Sequence, residues 1–306
     1  MPNDNNYTVD EHFLPRMYLK EFSEIKKKGN KEKAFVWQYN VRTMIQTSTQ
    51  VNVQDICFEK NLYELRNADG SFIARNAIEK TFGKIEVAVN NAIRSIKERV
   101  QNEKCLNCTT FLSGEEKSLL SIFIAALMYR DPDTIAREID FLKKTNPEMT
   151  DEQARNFTLL NLLPLGLDSD WDRQTIIRTA VTNLSDMAVQ VGLADNDVIF
   201  TSDRPFVQWP SHSEEYPNRP KALMFPLTSR LVLYLYPPED VAQIGWNYFF
   251  QLDPERIHDV QSNVAVCARE WIYSREKLTD EQLEIIKTAR DRFNKVSVDA
   301  CGEDSQ

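Results

Sequence analysis

Apolar and polar positions in the first third of the chain predict one short helix followed by strands. Residues 10–23 (DEHFLPRMYLKEFS) place apolar side chains three and four apart around Pro15, a residue favoured at the first position of a helix. The lysine-rich stretch 25–33 has no apolar period and predicts a solvated loop. Residues 34–43 and 51–65 alternate and are rich in Val, Tyr and Phe, which is typical of strands.

The middle of the chain changes to the period of a helix. Asp69-Gly70, a strong turn pair, comes just before the change. Residues 76–102 and 113–130 repeat apolar positions every three to four residues, and the second segment begins with a Ser-x-x-Glu capping box. Two or three more helices are expected within 134–193, where the apolar pattern of 175–191 supports them.

The last third returns to short strands and ends in helices. Residues 197–210, 222–227 and 230–238 are apolar segments interrupted by prolines, and we expect short strands in each. The patterns of 254–274 and 279–296 predict helices.

This order of elements predicts a mixed α+β fold that is rich in helix. Short antiparallel strands near both ends would surround a central helical block at 76–193. We expect a single domain over residues 1–296, followed by a polar tail at 297–306.

Composition narrows the class of protein. Hydrophobic residues make up 42% and charged residues 27%, as in soluble globular proteins. With 8 glycines and neither a G-x-G-x-x-G nor a G-x-x-x-x-G-K motif, a Gly-rich nucleotide-binding loop is not expected. The net charge of −9 argues against a broadly basic protein that coats nucleic acid. Five cysteines without a secretory signal or a membrane-length apolar run fit the cytoplasm.

His12 is the first candidate for chemistry, because the chain has only 3 histidines. It comes just before a predicted helix, whose positive end disfavours an imidazolium and keeps the ring neutral. A neutral imidazole can act as a base or as a metal ligand. The alternative is a structural histidine that bonds to the backbone and packs beside Phe13.

Two glutamates on the first long helix form the second candidate. Glu79, Glu86 and Asn90 fall along one edge of its apolar stripe, within about 40° of one another. A helix offers carboxylates to a metal or a buried basic group in this way. An ordinary polar border, with both carboxylates in water, is the alternative.

Further candidates follow at the ends of later elements. Arg130 ends an apolar helix, and its guanidinium could bind a carboxylate or phosphate through two hydrogen bonds. The alternative is that it caps the helix or pairs with the neighbouring acidic residues. Thr201, Ser202 and Asp203 follow a strand, where they form either part of a site or a simple turn. Asn263 lies on a late helix, where a packing role is the alternative.

The ordered set of motifs resembles the domain-of-unknown-function 4238 family of mainly microbial proteins. The opening motif is His12-x-x-Pro15-x-x-Tyr18-Leu19-x-x-Phe22. The other pieces are VWQYN, the spaced glutamates, Arg130, the turn Thr201–Pro205, Pro226-Leu227, Asn263 and Tyr273-Ser274. The resemblance spans roughly residues 12–274. It implies that the polar residues from these distant segments form one convergent set.

Two hypotheses for function follow. In the first, the protein is a metal- or acid/base-assisted hydrolase, of nuclease or nucleotide phosphodiesterase type, in antiviral defence or toxicity. His12 would be the base or a ligand, while Glu79, Glu86 and Asp203 would hold a divalent cation such as Mg or orient His12. Arg130 would bind the phosphate of a nucleotide or nucleic acid. The other residues expected to bind substrate are Thr201, Ser202 and Asn263.

In the second hypothesis the protein is a non-catalytic interaction module. The polar cluster would then be a buried structural network, and a partner would bind at the surface through Trp209, Tyr216 and the loop between them. No association with a membrane is expected.

Overall fold

A computed structural model describes residues 7–29, 31–102, 108–162, 175–209, 221–237 and 247–302. The chain divides into two compact units. The first, here called the helical unit, comprises residues 1–15, 57–104 and 112–187. The second, here called the sheet unit, comprises residues 16–56, 105–111 and 188–306. Tyr216 lies outside the described residues.

The strands of the helical unit form two small antiparallel pairs. Strand β1 (Asp10–His12) pairs with β6 (Phe58–Lys60), and β7 (Leu65–Arg66) pairs with β8 (Phe72–Ile73). The second pair is a hairpin whose turn contains Gly70 at φ +80°, a conformation that glycine adopts without strain.

Five helices follow these strands in the helical unit as described. They are α2 (Ala77–Asn102), α3 (Gly114–Arg130), α4 (Pro132–Thr145), α5 (Asp151–Leu162) and α6 (Thr175–Asp186). The predicted capping box starts α3, because Ser113 and Glu116 each accept a hydrogen bond from the other's backbone N–H. Helix α3 is apolar on most sides and packs against both α2 and α6, which explains its burial.

The first sheet of the sheet unit has the order β10-β15-β3-β2, with β4 and β5 also paired to β3. Its strands are β2 (Glu24–Lys28), β3 (Lys31–Asn40), β4 (Ile45–Gln46), β5 (Val51–Asn52), β10 (Thr201–Ser202) and β15 (Trp271–Ser274). The pairs along this order are antiparallel. The short helix α1 (Arg16–Leu19) and the 3₁₀ turn Lys20–Phe22 precede the sheet.

The second sheet has the order β11-β12-β13-β9-β14. Its strands are β9 (Ala188–Leu193), β11 (Val207–Trp209), β12 (Ala222–Pro226), β13 (Leu231–Tyr236) and β14 (Asn247–Gln251). Only β14 runs parallel to its neighbour β9 among these described pairs. Backbone bonds from the segment 108–111 cover the outer edge of β14. Helices α7 (Pro254–Cys267) and α8 (Asp280–Gly302) pack on each other.

The described residues form the mixed α+β fold with antiparallel sheets that the sequence predicts. Several local predictions were wrong. Residues 25–28 are an edge strand rather than a loop; lysines suit such a strand because they discourage pairing with other chains. His12 ends a strand, so the helix predicted at 10–23 is reduced to α1 and its 3₁₀ turn.

Two predicted helices end earlier than expected. The helix through 175–191 stops at Asp186, because Val189 and Val191 belong to β9, where both faces are buried and no period distinguishes strand from helix. The helix at 254–274 stops at Cys267, since Ala268 turns extended and an aromatic strand, β15, follows. None of the helices in the described residues combines the length and the apolar character needed to cross a membrane.

Candidate functional site

A buried guanidinium organises the polar residues of the helical unit. Arg130 is only 1% exposed and lies at the end of α3. Its Nη1 donates to Glu86 Oε1 at 3.0 Å, its Nη2 donates to the carbonyl of His12, and its Nε donates to the hydroxyl of Tyr63 at 3.3 Å. The guanidinium carbon also lies 4.2 Å from the centroid of the Phe82 ring. All these contacts are with the protein itself.

The surroundings of Arg130 keep it charged. Burial alone would lower the pKa of Arg130, but Tyr63 and the carboxylates of Glu86 and Glu79 raise it above its usual value. Tyr63 donates in return to the carbonyl of Arg130 at 3.1 Å, and burial raises the pKa of this tyrosine. The buried guanidinium of Arg130 is therefore compensated by carboxylates that are themselves only partly buried.

A second buried group adjoins this cluster in the helical unit. Glu11 is 0% exposed and accepts a hydrogen bond from the backbone N–H of Tyr63 at 2.7 Å. Burial and, to a smaller extent, the charges of Glu64 and Glu79 raise the pKa of Glu11 to about 7, although that bond opposes the shift. Glu64 accepts from both the backbone and the side-chain nitrogen of Asn76, at 3.0 and 2.9 Å.

His12 lies at the edge of these contacts. Its side chain is 9% exposed, and its ring packs against Phe58, with 5.4 Å between the ring centroids. The two residues are also partners across β1 and β6. We here name the contacts of Glu11, His12, Tyr63, Glu86 and Arg130 the Arg130 network.

In the sheet unit, the hydroxyl of Tyr18 joins three distant segments. It donates to the carbonyl of Pro226 at 2.7 Å and lies 2.7 Å from the hydroxyl of Thr201. Tyr18 and Thr201 are both 0% exposed. The tyrosine of the opening motif thus holds β10 and β12 through one buried group.

Asp203 fixes the start of β15 in the same unit. Its carboxylate accepts hydrogen bonds from the backbone N–H groups of Arg269, Glu270 and Trp271, at 2.9, 2.9 and 3.0 Å. Burial raises the pKa of Asp203, although the three N–H groups oppose this effect. Ser202 bonds within its own turn, since its hydroxyl donates to the carbonyl of residue 204.

An open groove lies on one face of the second sheet. It encloses about 980 Å³. Side chains of all five strands and of α7 line it: Gln190, Trp209, Lys221, Ala222, Leu223, Met224, Tyr234, Tyr236, Tyr248, Phe250, Gln251, Arg256, Asp259, Val260 and Asn263. We call this surface the aromatic groove.

Four aromatic rings form a continuous row in the aromatic groove. The centroids are 6.3 Å apart from Tyr236 to Tyr234, 6.0 Å from Tyr234 to Phe250, and 6.1 Å from Phe250 to Tyr248. The first and last pairs are within 10° and 13° of parallel, because residues i and i+2 of a strand share a face. Burial raises the pKa of Tyr234 and of Tyr236, so both hydroxyls stay neutral near pH 7.

Polar groups flank this row. Gln190 on β9 is opposite Tyr234 on one side and Tyr248 on the other. Arg256 and Asn263 reach the groove from the same face of α7, and the guanidinium carbon of Arg256 lies 4.9 Å from the centroid of the Phe250 ring. The groove thus combines ring faces, amides and cations in an accessible position.

The structure distributes the predicted site residues over both units. In the helical unit it brings His12, Glu86 and Arg130 into contact, and Glu79 is close enough to affect the pKa of Arg130. In the sheet unit, Thr201, Ser202 and Asp203 make separate structural contacts, and Asn263 lines the aromatic groove. No group of three or more His, Cys, Asp and Glu among the described residues is arranged to hold a metal ion.

Sequence reasoning missed the aromatic row. The available signal was the period of two in LVLYLY and NYFFQ, which puts Tyr234 with Tyr236 and Tyr248 with Phe250 on one face. The second of these segments was not recognised as a strand. Without this strand, no pattern in the sequence placed Tyr248 and Phe250 beside Tyr234 and Tyr236.

A family described as a protein of unknown function, DUF4238, matches residues 11–278. The chain belongs to the DUF4238 family. In this DUF4238 protein, the residues that carry the resemblance include His12, Glu86 and Arg130 of the Arg130 network and, in the sheet unit, Tyr18 and Asp203. No curated protein and no solved structure matches the chain.

Proposed function

We propose that this DUF4238 protein is a binding module whose ligand occupies the aromatic groove, while the Arg130 network stabilises the helical unit. The observation that carries the proposal is the row of four rings along an open groove with cations and amides beside it. A concave surface with aromatic walls and a few placed polar groups is the usual form of a ligand site.

The burial of Arg130 supports the structural part of the proposal. Its guanidinium is 1% exposed and is occupied by Glu86, Tyr63 and a backbone carbonyl. A phosphate would have to displace these partners and enter the interior. Since removing one member of a buried ion pair costs several kcal/mol, this arrangement is better suited to holding elements together.

The second hypothesis from the sequence, a surface partner near Trp209, agrees with this proposal. Trp209 lines the aromatic groove and is 37% exposed. Exposed tryptophan and tyrosine supply large contact area at low entropic cost, which makes them frequent anchors of binding sites.

Hydrolysis of a phosphate-bearing substrate is the second candidate function, in the form of a nuclease or nucleotide phosphodiesterase in antiviral defence or toxicity. The observation that favours it is Asp259, an exposed carboxylate that lines the groove one turn before Asn263. A carboxylate beside a bound substrate could act as a general base. Replacement of Asp259 by Asn would then stop turnover but leave binding.

The experiment compares ligand-induced stabilisation in matched variants. The probes are the four ribonucleoside monophosphates, a ten-nucleotide single-stranded DNA, maltohexaose and a Trp-containing hexapeptide. A compound that binds the native state raises its melting temperature by mass action. We expect the effective probe to lose its action in Tyr248→Leu and to keep it in Glu86→Gln. The opposite pattern would contradict the proposal.

A further inference from the structure

We infer that the aromatic groove binds a nucleobase that carries a phosphate, either as a free nucleotide or as a unit of single-stranded nucleic acid. This inference rests on the proposed function, because it names the ligand class for the same groove. It depends on three features: the ring row, the rim cations and the amides.

The half-buried tyrosines of the ring row supply faces on which bases can stack, while Phe250, which is 9% exposed and covered by Arg256, connects them. Tyr236, Tyr234, Phe250 and Tyr248 follow one another at steps of 6.0 to 6.3 Å, from two strands on either side of β9. Each base has a π face, so a row of rings accepts successive bases with little dependence on sequence. The raised pKa values of Tyr234 and Tyr236 keep the phenols neutral, so they do not repel an anion.

The charges at the rim complement a phosphate. Among the lining residues that the structure describes, Lys221 and Arg256 are cations and Asp259 is an anion. Arg256 also forms an exposed ion pair with Asp253, with 3.8 Å between Nε and Oδ2, and a phosphate can replace this carboxylate because exposed pairs contribute little. Arg256 lies over the face of Phe250, at 4.9 Å, so its guanidinium is placed beside the position of a stacked base.

The amides offer groups for the edges of bases. Gln190 is 6% exposed and lies on the strand between the two ring pairs, and Asn263 and Gln251 also line the groove. A side-chain amide can donate and accept at once, which matches the paired donor and acceptor on a base edge. Gln251 donates to Asp195 Oδ1 at 2.9 Å and Asn263 donates to the carbonyl of Asp259 at 2.8 Å, so each amide can offer a base its second N–H and its carbonyl oxygen.

The volume fits a ligand of this class. Small-molecule sites usually enclose about 300–1,000 Å³. At about 980 Å³, the groove is at the upper end of that range.

The test is fluorescence anisotropy with a fluorescein-labelled, ten-nucleotide DNA of mixed sequence, as a single strand and as a duplex, and with the matching RNA strand. Competition by AMP, GMP, CMP and UMP separates the sources of the ligand. Competition at micromolar nucleotide identifies a free nucleotide, whereas tight binding of the strands with weak competition identifies a nucleic acid. Both outcomes support the inference.

Two pairs of variants assign the binding to the groove. Tyr236→Leu keeps apolar bulk but removes the ring, and we expect binding about 5- to 100-fold weaker. Phe141→Leu, which removes a 60% exposed ring from α4 of the helical unit, is its control and should bind as the wild type does. Arg256→Gln should weaken binding and reduce the slope of log K against log salt by about 0.7 for a single strand, whereas Arg137→Gln on α4 should not.

Failure of the inference differs from failure of the proposed function. In one such outcome, maltohexaose or the Trp-containing hexapeptide binds the wild type and loses affinity in Tyr236→Leu, while no nucleotide or strand binds at 1 mM. In that case the groove is a binding site, but its ligand is not a nucleotide. Absence of binding by every nucleotide and strand overturns the inference as well. If a strand binds equally to Tyr236→Leu and the wild type, the groove is not the site and both statements fall.

Discussion

Replacing Arg130 by methionine tests whether its network is structural. Methionine keeps an unbranched apolar side chain over Phe82 but removes the side-chain hydrogen bonds of Arg130 to Glu86, Tyr63 and the carbonyl of His12. The substitution leaves the partly buried carboxylate of Glu86 without its guanidinium partner. Removing one partner of a buried ion pair costs about 3–5 kcal/mol. Because Glu86 retains 25% exposure of its side chain, we expect a loss near the lower figure.

The assay is unfolding in urea, followed by the helical circular dichroism signal. The matched control is Arg94→Met on α2, where the residue is exposed and the guanidinium donates to Oδ1 of the exposed Asn91 at 3.1 Å. Exposed substitutions of this kind change the free energy of unfolding by about 0.5 kcal/mol or less. The expected result is therefore a clear fall in the midpoint for Arg130→Met alone.

One result would refute the structural reasoning. If Arg130→Met unfolds at the same urea midpoint as the wild type and yet abolishes binding of a phosphate-bearing probe, then Arg130 contacts the ligand. A retained midpoint would also show that its three partners rearrange without cost, against the burial seen for the guanidinium.

Three other substitutions have defined outcomes. Tyr18→Phe removes two buried hydrogen bonds and should lower the free energy of unfolding by about 1–3 kcal/mol, measured by chemical denaturation. Asp203→Asn places an amide among three N–H donors and should also lower the free energy of unfolding by about 1–3 kcal/mol. An unchanged melting temperature would argue against the role of Asp203 in fixing β15. The pKa of Glu11 is about 7 in the folded state and 4.5 without the fold, so ionisation opposes folding as pH rises between these values. Glu11→Gln should remove this dependence and gain up to about 3 kcal/mol relative to the wild type between pH 4.5 and pH 8, whereas parallel curves of unfolding free energy against pH would contradict the shift.

The sequence predicted the long helices and the strands β3, β12 and β13, but it did not predict the strands β9 and β14. Helices α2 and α3 have a sustained apolar period, and Ser113 caps the second, so local residues determine both. Strand β9 is buried on both faces, so its apolar residues show little alternation, and β14 has only five residues, too few for its period of two to be distinctive. Their identity depends on neighbours about 40 residues or more away along the chain.

The candidate site was accessible to sequence reasoning only in part. The order of motifs grouped His12, Glu86 and Arg130, and these three are in contact in the structure. Their burial could not be deduced, because it depends on packing against Tyr63 and Phe82 from other elements. The aromatic groove needed the register of three strands, which no local pattern supplies.

The most direct test of the account compares the dissociation constants of two variants for the labelled ten-nucleotide single strand. Tyr236→Leu changes the aromatic groove, and Glu86→Gln changes the Arg130 network while keeping an acceptor for Arg130. We predict binding at least about fivefold weaker for Tyr236→Leu and wild-type binding for Glu86→Gln. Wild-type binding by Tyr236→Leu together with lost binding by a folded Glu86→Gln would contradict the account.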